Sequence, residues 1–117
     1  MISILSDIKI MVCTQPIDMR KQANGLILLV VDTLKQDPQS RQLFLFFGKT
    51  KNKAKALLWD NNGFILLYKK LEKGKFIFPQ DIHSPIEINN DLFKALLRGF
   101  DFYRLKQNPD LKITDYF

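Results

Sequence analysis

The stretch that decides the fold is AKALLWDNNGFILLYKKL, from Ala54 to Leu71. It consists of two apolar runs joined by DNNG at residues 60–63, a tetrapeptide typical of the tight turn in a β-hairpin. A connection this short joins antiparallel neighbours, because a parallel crossover needs a dozen or more residues. The stretch therefore predicts two antiparallel strands, Ala54 to Trp59 and Phe64 to Leu71.

The flanking sequence extends this hairpin into a meander. Leu43 to Phe47 is an apolar, aromatic run that precedes a polar loop, and Phe76 to Phe78 follows a second turn at residues 72–75. Both runs have the length and composition of strands. Ile8 to Val12 predicts one more short strand near the start of the chain.

A first helix is predicted between the early strand and the meander. Apolar residues recur at helical spacing from Ala23 to Leu34. Asp18 is the predicted N-cap, since its carboxylate can accept hydrogen bonds from free backbone N–H groups. Asp37-Pro38 is expected to end the helix, because the residue before a proline avoids helical geometry.

A second helix is predicted to begin at Asn89 or Asn90 and to end at Gly99. The predicted fold is therefore α+β, with an antiparallel β-meander sheet and both helices packed on one of its faces. We expect a single domain over residues 1–103 and a polar C-terminal tail over residues 104–117.

Composition indicates a globular protein. The chain has 117 residues, of which 46% are hydrophobic and 26% charged, values that favour a folded domain over disorder. Cys13 is the only cysteine, so no disulfide can form within one chain, and a reducing compartment is expected. Apolar runs are far shorter than the roughly 20 residues of a membrane span, and the N-terminus does not resemble a signal peptide. We therefore expect a cytoplasmic protein without membrane contact.

The excess charge lies in one window, residues 49–75. Its lysines outnumber its acids, Asp60 and Glu72, by six, which equals the formal net charge of the whole protein, +6. A local excess produces a local field that attracts polyanions. The basic residues of the window are Lys49, Lys51, Lys53, Lys55, Lys69, Lys70, Lys73 and Lys75.

Aromatic residues alternate with these lysines, as in many nucleic-acid-binding surfaces. Tyr68 and Phe76 could stack on bases or fill the core, whereas Trp59 is expected in the core. If residues 49–55 were extended, their four alternating lysines would share one face, but we expect part of this stretch to be loop, which would splay them. The alternative is that lysines on exposed strands serve solubility and prevent edge pairing.

Five motifs in register resemble a known protein family. The chain is similar, from about Ile8 to Phe102, to the TnpB accessory proteins, encoded by the second open reading frame of insertion sequences of the family numbered sixty-six. The resemblance implies a protein that accompanies a separate transposase and is needed for transposition of its element. The family pattern has arginine where Lys70 and Lys75 stand, a departure that favours contacts to the DNA backbone over base reading. The motifs are DMRK with GL (18–21, 25–26), LFLF (43–46), KALLWD with GF (55–60, 63–64), YKKLEKGKF with P (68–76, 79) and LLRGFD (96–101).

The DMRK motif at residues 18–21 has two interpretations. In the structural one, which we favour from the sequence, Asp18 caps the helix and Arg20 is buried against a carboxylate such as Asp60 or Asp101. In the functional one, Arg20 and Lys21 lie at a helix N-terminus, where backbone N–H groups favour a phosphate.

Features of catalytic and metal sites are scarce. His83 is the only histidine and Cys13 the only thiol, whereas a zinc site needs several such ligands. Phosphoryl transfer with two metal ions needs converging carboxylates. The acids considered are Asp18, Asp60, Asp81 and Asp101, but Asp18 resembles a cap and Asp60 lies in a turn. We therefore predict no catalytic residue, no metal and no cofactor.

These observations predict a non-catalytic accessory protein of DNA transposition. It would bind duplex DNA at the element ends through a lysine-rich sheet face, with the eight lysines of residues 49–75, Arg20 and Lys21 as contacts. The alternative is a protein–protein adaptor that holds the transposase, or another element-encoded protein, through the apolar meander or the second helix. The oligomeric state stays open.

Overall fold

The computed structural model describes residues 8–80 and 83–101. A π-helical turn, Leu29–Thr33, continues the first helix. The predicted tail lies outside the described residues. The strands and helices, in chain order, are β1 (Lys9–Val12), α1 (Ala23–Leu28), β2 (Gln42–Phe47), β3 (Lys53–Asp60), β4 (Gly63–Lys70), β5 (Ile86–Ile88) and α2 (Asn90–Leu97).

Within the described residues the strands form one sheet in the order β4-β3-β2-β1-β5. The meander of β2, β3 and β4 is antiparallel, as the short connections predict. β1 pairs with β2 in parallel, because the connection between them contains α1 and is long enough for a crossover. β5 is antiparallel to β1 and was not predicted. The α+β fold with an antiparallel meander and two helices is confirmed.

The predicted hairpin between β3 and β4 is present. Asp60 pairs with Gly63, which leaves Asn61 and Asn62 as the two-residue turn. Asn61 has φ +56°, the left-handed conformation that tight hairpin turns require and that asparagine tolerates. β3 and β4 are eight residues each, so the hairpin runs almost the full width of the molecule.

The two helices pack on opposite faces of the sheet, so the prediction that they share one face is wrong. Leu26 of α1 and Val30 of the π-helical turn that continues it pack with Phe44, Phe46 and other side chains of one face. α2 places Phe93 and Leu96 against the other face. The physical reason lies in β2, whose side chains from Leu43 to Phe47 are all buried. A strand that is apolar on both sides needs cover on both sides.

The predicted strand Phe76 to Phe78 is not a strand, although its side chains belong to the core. Phe76 and Phe78 are buried, and Ile77 between them is exposed. The ring of Phe47 stacks on Phe78 with centroids 4.1 Å apart and meets Phe76 at 5.3 Å. The alternation of burial that predicted a strand therefore comes from a loop that seals one edge of the core.

The predicted caps differ in outcome. Asn89 caps α2 by accepting a hydrogen bond from the Leu92 backbone N at 2.8 Å, and Gly99 follows the helix with φ +88°, as predicted. Asp18 does not cap α1, whose N-cap is Gln22 without a side-chain bond. With Asp18 as N-cap, the helix would begin at Met19, whereas it begins at Ala23, four residues later.

Candidate nucleic-acid interface

The basic residues lie mainly at one end of the sheet, because β3 begins where β4 ends. Lys53 pairs with Lys70, and beyond them the Leu71 backbone N donates to Asn52 O at 2.8 Å. The Phe76 backbone N donates to Lys51 O at 2.6 Å, which brings the loop after β4 to the same place. We call the surface formed by residues 17–21, 48–55 and 69–75 the basic end.

The segment that carries Arg20 and Lys21 joins the basic end through the backbone. Ile17 forms a parallel bridge with Gly48, and its backbone N donates to Phe47 O at 2.9 Å. Gly48 permits this approach, since a Cβ there would lie 2.6 Å from the Met19 Cγ. The structure thus brings the segment of Arg20 and Lys21 next to the lysine window.

Lys55 differs from the other lysines because it is buried, with only 6% of the residue exposed. Its Nζ donates to the backbone oxygens of Met19 at 2.8 Å and Lys21 at 2.7 Å. The ammonium group therefore fastens residues 19–21 to β3. Lys49 and Lys51 lie in the loop before β3, so the four lysines do not share one face, as expected if part of this stretch is loop.

Arg20 is exposed and is not buried against Asp60 or Asp101, so the interpretation favoured from the sequence is wrong on this point. Its guanidinium meets the Asp18 carboxylate, with Nη2 2.7 Å from Oδ2 and Nε 3.1 Å from each oxygen. The Arg20 backbone N also donates to Asp18 Oδ1 at 2.9 Å. These hydrogen bonds hold the pKa of Asp18 well below its usual range. The side chain of Arg20 is nevertheless 91% exposed, so it can meet a partner.

A polar groove of about 420 Å³ opens between this segment and the sheet. Arg20, Lys49 and Lys53 line it together with Tyr68, which is 55% exposed. Tyr68 lies directly across from Lys55, whose Nζ is 5.7 Å from the centre of the ring. Of the two aromatic residues whose role was open, Tyr68 therefore faces the surface and Phe76 belongs to the core.

The remaining lysines surround the end of the sheet without forming one flat face. Lys69 points to the side of α2, where its Nζ donates to Leu97 O at 2.7 Å. Lys51 and Lys75 line a second hollow of about 470 Å³ beside Ile77. Lys70 and Lys73 are exposed. Lys21 is half-buried over the first turn of α1, where a Cβ on Gly25 would lie 3.1 Å from its Cβ.

Arg98 was not predicted as a site residue, yet the fold brings it towards the basic end. It follows α2 directly, and the bond from Lys69 to Leu97 O joins the end of that helix to β4. Gly99 also approaches Lys75, whose backbone oxygen lies 3.9 Å from a Cβ built on the glycine. The sequence feature that could have pointed to Arg98 is the LLRGFD motif at residues 96–101, in which Arg98 is the basic residue.

The acidic residues considered for catalysis are dispersed where the structure describes them. Asp18 lies at the basic end, whereas Asp60 lies at the far end of β3, about 20 Å away at 3.3 Å per residue. Asp81 is outside the described residues. Among residues 8–80 and 83–101, no three His, Cys, Asp or Glu side chains could hold a metal ion together. In the same ranges, each helix is too short or too polar to cross a membrane.

Comparison with known proteins places the chain in a family. The model of the family described as "IS66 Orf2 like protein" matches residues 8–107. Two Sinorhizobium fredii (strain NGR234) proteins are similar: "Uncharacterized protein y4jC" is 39% identical over 87% of each chain, and "Uncharacterized protein y4hO" is 30% identical over 82% of this chain and 84% of its own. Among solved structures there is no significant match. The chain belongs to the family of IS66 Orf2 like proteins, which connects it with the transposition of an insertion sequence.

Proposed function

We propose that this protein is a non-catalytic accessory protein of transposition that binds DNA through its basic end. The proposal joins a family role in transposition with a surface suited to a polyanion. Binding would neutralise phosphates with lysines, which act as point charges and read little sequence. Affinity for duplex DNA would therefore depend strongly on salt and weakly on sequence.

The observation that carries the proposal is the convergence of separate chain segments on one end. Residues 17–21, 48–55 and 69–75 meet there, and each brings basic side chains. Asp18 is the acidic residue of the segment 17–21, and its carboxylate forms an ion pair with Arg20. Asp60, which offset part of the lysine charge in the sequence, lies at the other end of the sheet. Folding thus concentrates the positive field beyond what the sequence window indicates.

The adaptor function is the second candidate, and one observation favours it. Leu28 and Val31 lie one turn apart on the first helix and are 60% and 44% exposed. The second helix, one of the two surfaces considered for this role from the sequence, instead buries Phe93, Ala95 and Leu96. If the protein holds the transposase, this outer side of the first helix is the place to test.

A mobility-shift titration tests the proposal. Purified protein is titrated against duplex carrying the terminal repeats of an insertion sequence of this family, and against random duplex of equal length, at several salt concentrations. We expect both duplexes to bind, with similar affinities that fall steeply as salt rises. Absence of binding to either duplex at low salt would reject DNA binding and favour the adaptor.

A metal-dependent cleavage assay tests the non-catalytic part. Protein incubated with Mg²⁺ or Mn²⁺ and supercoiled plasmid is expected to leave the DNA neither nicked nor joined, since Asp18 and Asp60 lie far apart. Cleavage that disappears when Asp18 or Asp60 is changed to asparagine would overturn this assignment.

A further inference from the structure

We propose that the groove beside Tyr68 binds one unpaired nucleotide, with its base stacked on the tyrosine ring and its phosphate among Arg20, Lys49 and Lys53. This inference rests on the proposed DNA binding and makes it more specific. The preferred ligand is then a single strand or an opened end, and the duplex is held by the rest of the basic end.

The ring of Tyr68 is placed as a stacking platform. The Lys55 ammonium lies 5.7 Å from its centre within the protein, while 55% of the residue stays exposed. The other rings near the lysine window are committed elsewhere: Phe76 and Phe78 pack on Phe47, and Trp59 meets Phe64 at the far end of the hairpin. An exposed ring among cations is the usual arrangement for binding single-stranded nucleic acid.

One carboxylate lines the groove, that of Asp18, and it is paired with Arg20. Lys53 and Lys70 lie directly opposite each other on adjacent strands, on the same face as Tyr68, and like charges in that position are destabilising. Within the described residues the ion pairs are those of Lys9 with Glu87 and Arg20 with Asp18, so no carboxylate neutralises Lys53, Lys55 or Lys70. A bound phosphate would reduce the repulsion between Lys53 and Lys70. This would explain why two lysines occupy directly opposite positions on adjacent strands.

The dimensions of the groove favour one nucleotide. A volume of about 420 Å³ lies near the lower end of the range for small-ligand sites. A base inside a duplex has both faces covered by its neighbours, so only an unpaired or flipped base can stack on a side chain. The combination of one exposed ring with cations on the rim therefore selects an unpaired nucleotide over a base pair.

A fluorescence experiment with an oligothymidine that contains one 2-aminopurine tests the inference. We expect the wild-type protein to bind this strand and to change the 2-aminopurine emission through stacking. Tyr68→Leu should weaken the affinity for the single strand roughly tenfold and abolish the emission change. Tyr68→Phe, the matched control, should retain both, because phenylalanine keeps the ring. Circular dichroism checks that each variant is folded.

Blunt duplex in the same titration separates the two proposals. Tyr68→Leu should bind blunt duplex within about twofold of wild type, since phosphate contacts carry that affinity. Equal single-strand affinity and emission for Tyr68→Leu and wild type would overturn the nucleotide site and leave duplex binding intact. If wild type binds neither the strand nor the duplex, the nucleotide site and DNA binding are both rejected.

Discussion

At the scale of residues, Lys55 and Lys53 show how identical side chains two positions apart acquire different tasks. Both residues belong to the lysine window and both lie on the same face of β3, so the sequence alone assigns both to the DNA-binding surface. The segment that carries Met19 and Lys21 covers Lys55 and supplies two carbonyl oxygens to its ammonium group. Burial of one lysine is therefore a tertiary effect, since the covering segment lies over thirty residues away in the chain.

Replacement of Lys55 by methionine should destabilise the fold by about 1–3 kcal/mol, the usual cost of leaving buried polar groups without partners. The matched control is Lys53→Met, on the same strand and face but half-buried, for which we expect a change within about 0.5 kcal/mol. Urea denaturation of the variants measures both. Equal destabilisation by the two substitutions would contradict the structural role of Lys55.

Arg20→Ala should leave the melting temperature almost unchanged, because the Arg20 side chain is exposed, and should weaken DNA binding. It should also release Asp18, whose pKa is held low chiefly by the hydrogen bond from Arg20. An NMR titration of the Asp18 carboxyl should show a pKa well below the usual range in wild type and a higher pKa in the variant, which loses the side-chain hydrogen bonds but keeps the one from the backbone N–H of residue 20. Because the folded pKa is lowered, any stabilisation is present above the unfolded pKa, near 3.9, and is lost as the pH falls through the folded value. An unchanged titration would show that the pair does not persist in solution.

At the scale of elements, the sequence predicted correctly those turns and helix ends that depend on a few neighbouring residues. The DNNG turn, the Asn89 cap and the Gly99 terminator each act over a few residues, and each was predicted. β5 is only three residues long and is recognisable mainly through its partner β1, so it was missed. The opposite placement of the helices was missed for a related reason. The apolar run of β2 indicates that both faces of the sheet need cover, but it does not specify which helix covers which face.

Asn89→Ala tests the confirmed cap and should destabilise the protein by about 0.5–2 kcal/mol, the typical effect of losing an N-cap side chain. Asn24→Ala, at an exposed position of α1, is the control and should be neutral or slightly stabilising, since alanine favours helix. Thermal or urea unfolding compares the variants. If Asn24→Ala is as harmful as Asn89→Ala, the difference between the two asparagines is not due to capping.

At the scale of the whole molecule, the lysine window predicted the charge of the site but not its shape. The hairpin brings residues 49–55 and 69–75 together, which the sequence implied. The addition of residues 17–21 required the bridge between Ile17 and Gly48, a contact between distant segments. The lysines do not form one flat face, because Lys69 and Lys70 are neighbours on a strand and point to opposite sides.

The central claim is that phosphates are held at the basic end, and the salt dependence of duplex binding tests it most directly. We compare Lys49→Gln/Lys53→Gln with Lys35→Gln/Arg41→Gln, whose positions lie at the opposite end of the sheet near the start of β2. Both variants lower the net charge by two, so a non-specific effect would be equal. The slope of log affinity against log salt should flatten by about 1.8 for the first variant, at 0.9 per phosphate contact. The second should keep the wild-type slope. Identical slopes for the two variants would show that charge acts through the molecule as a whole and would contradict binding at the basic end.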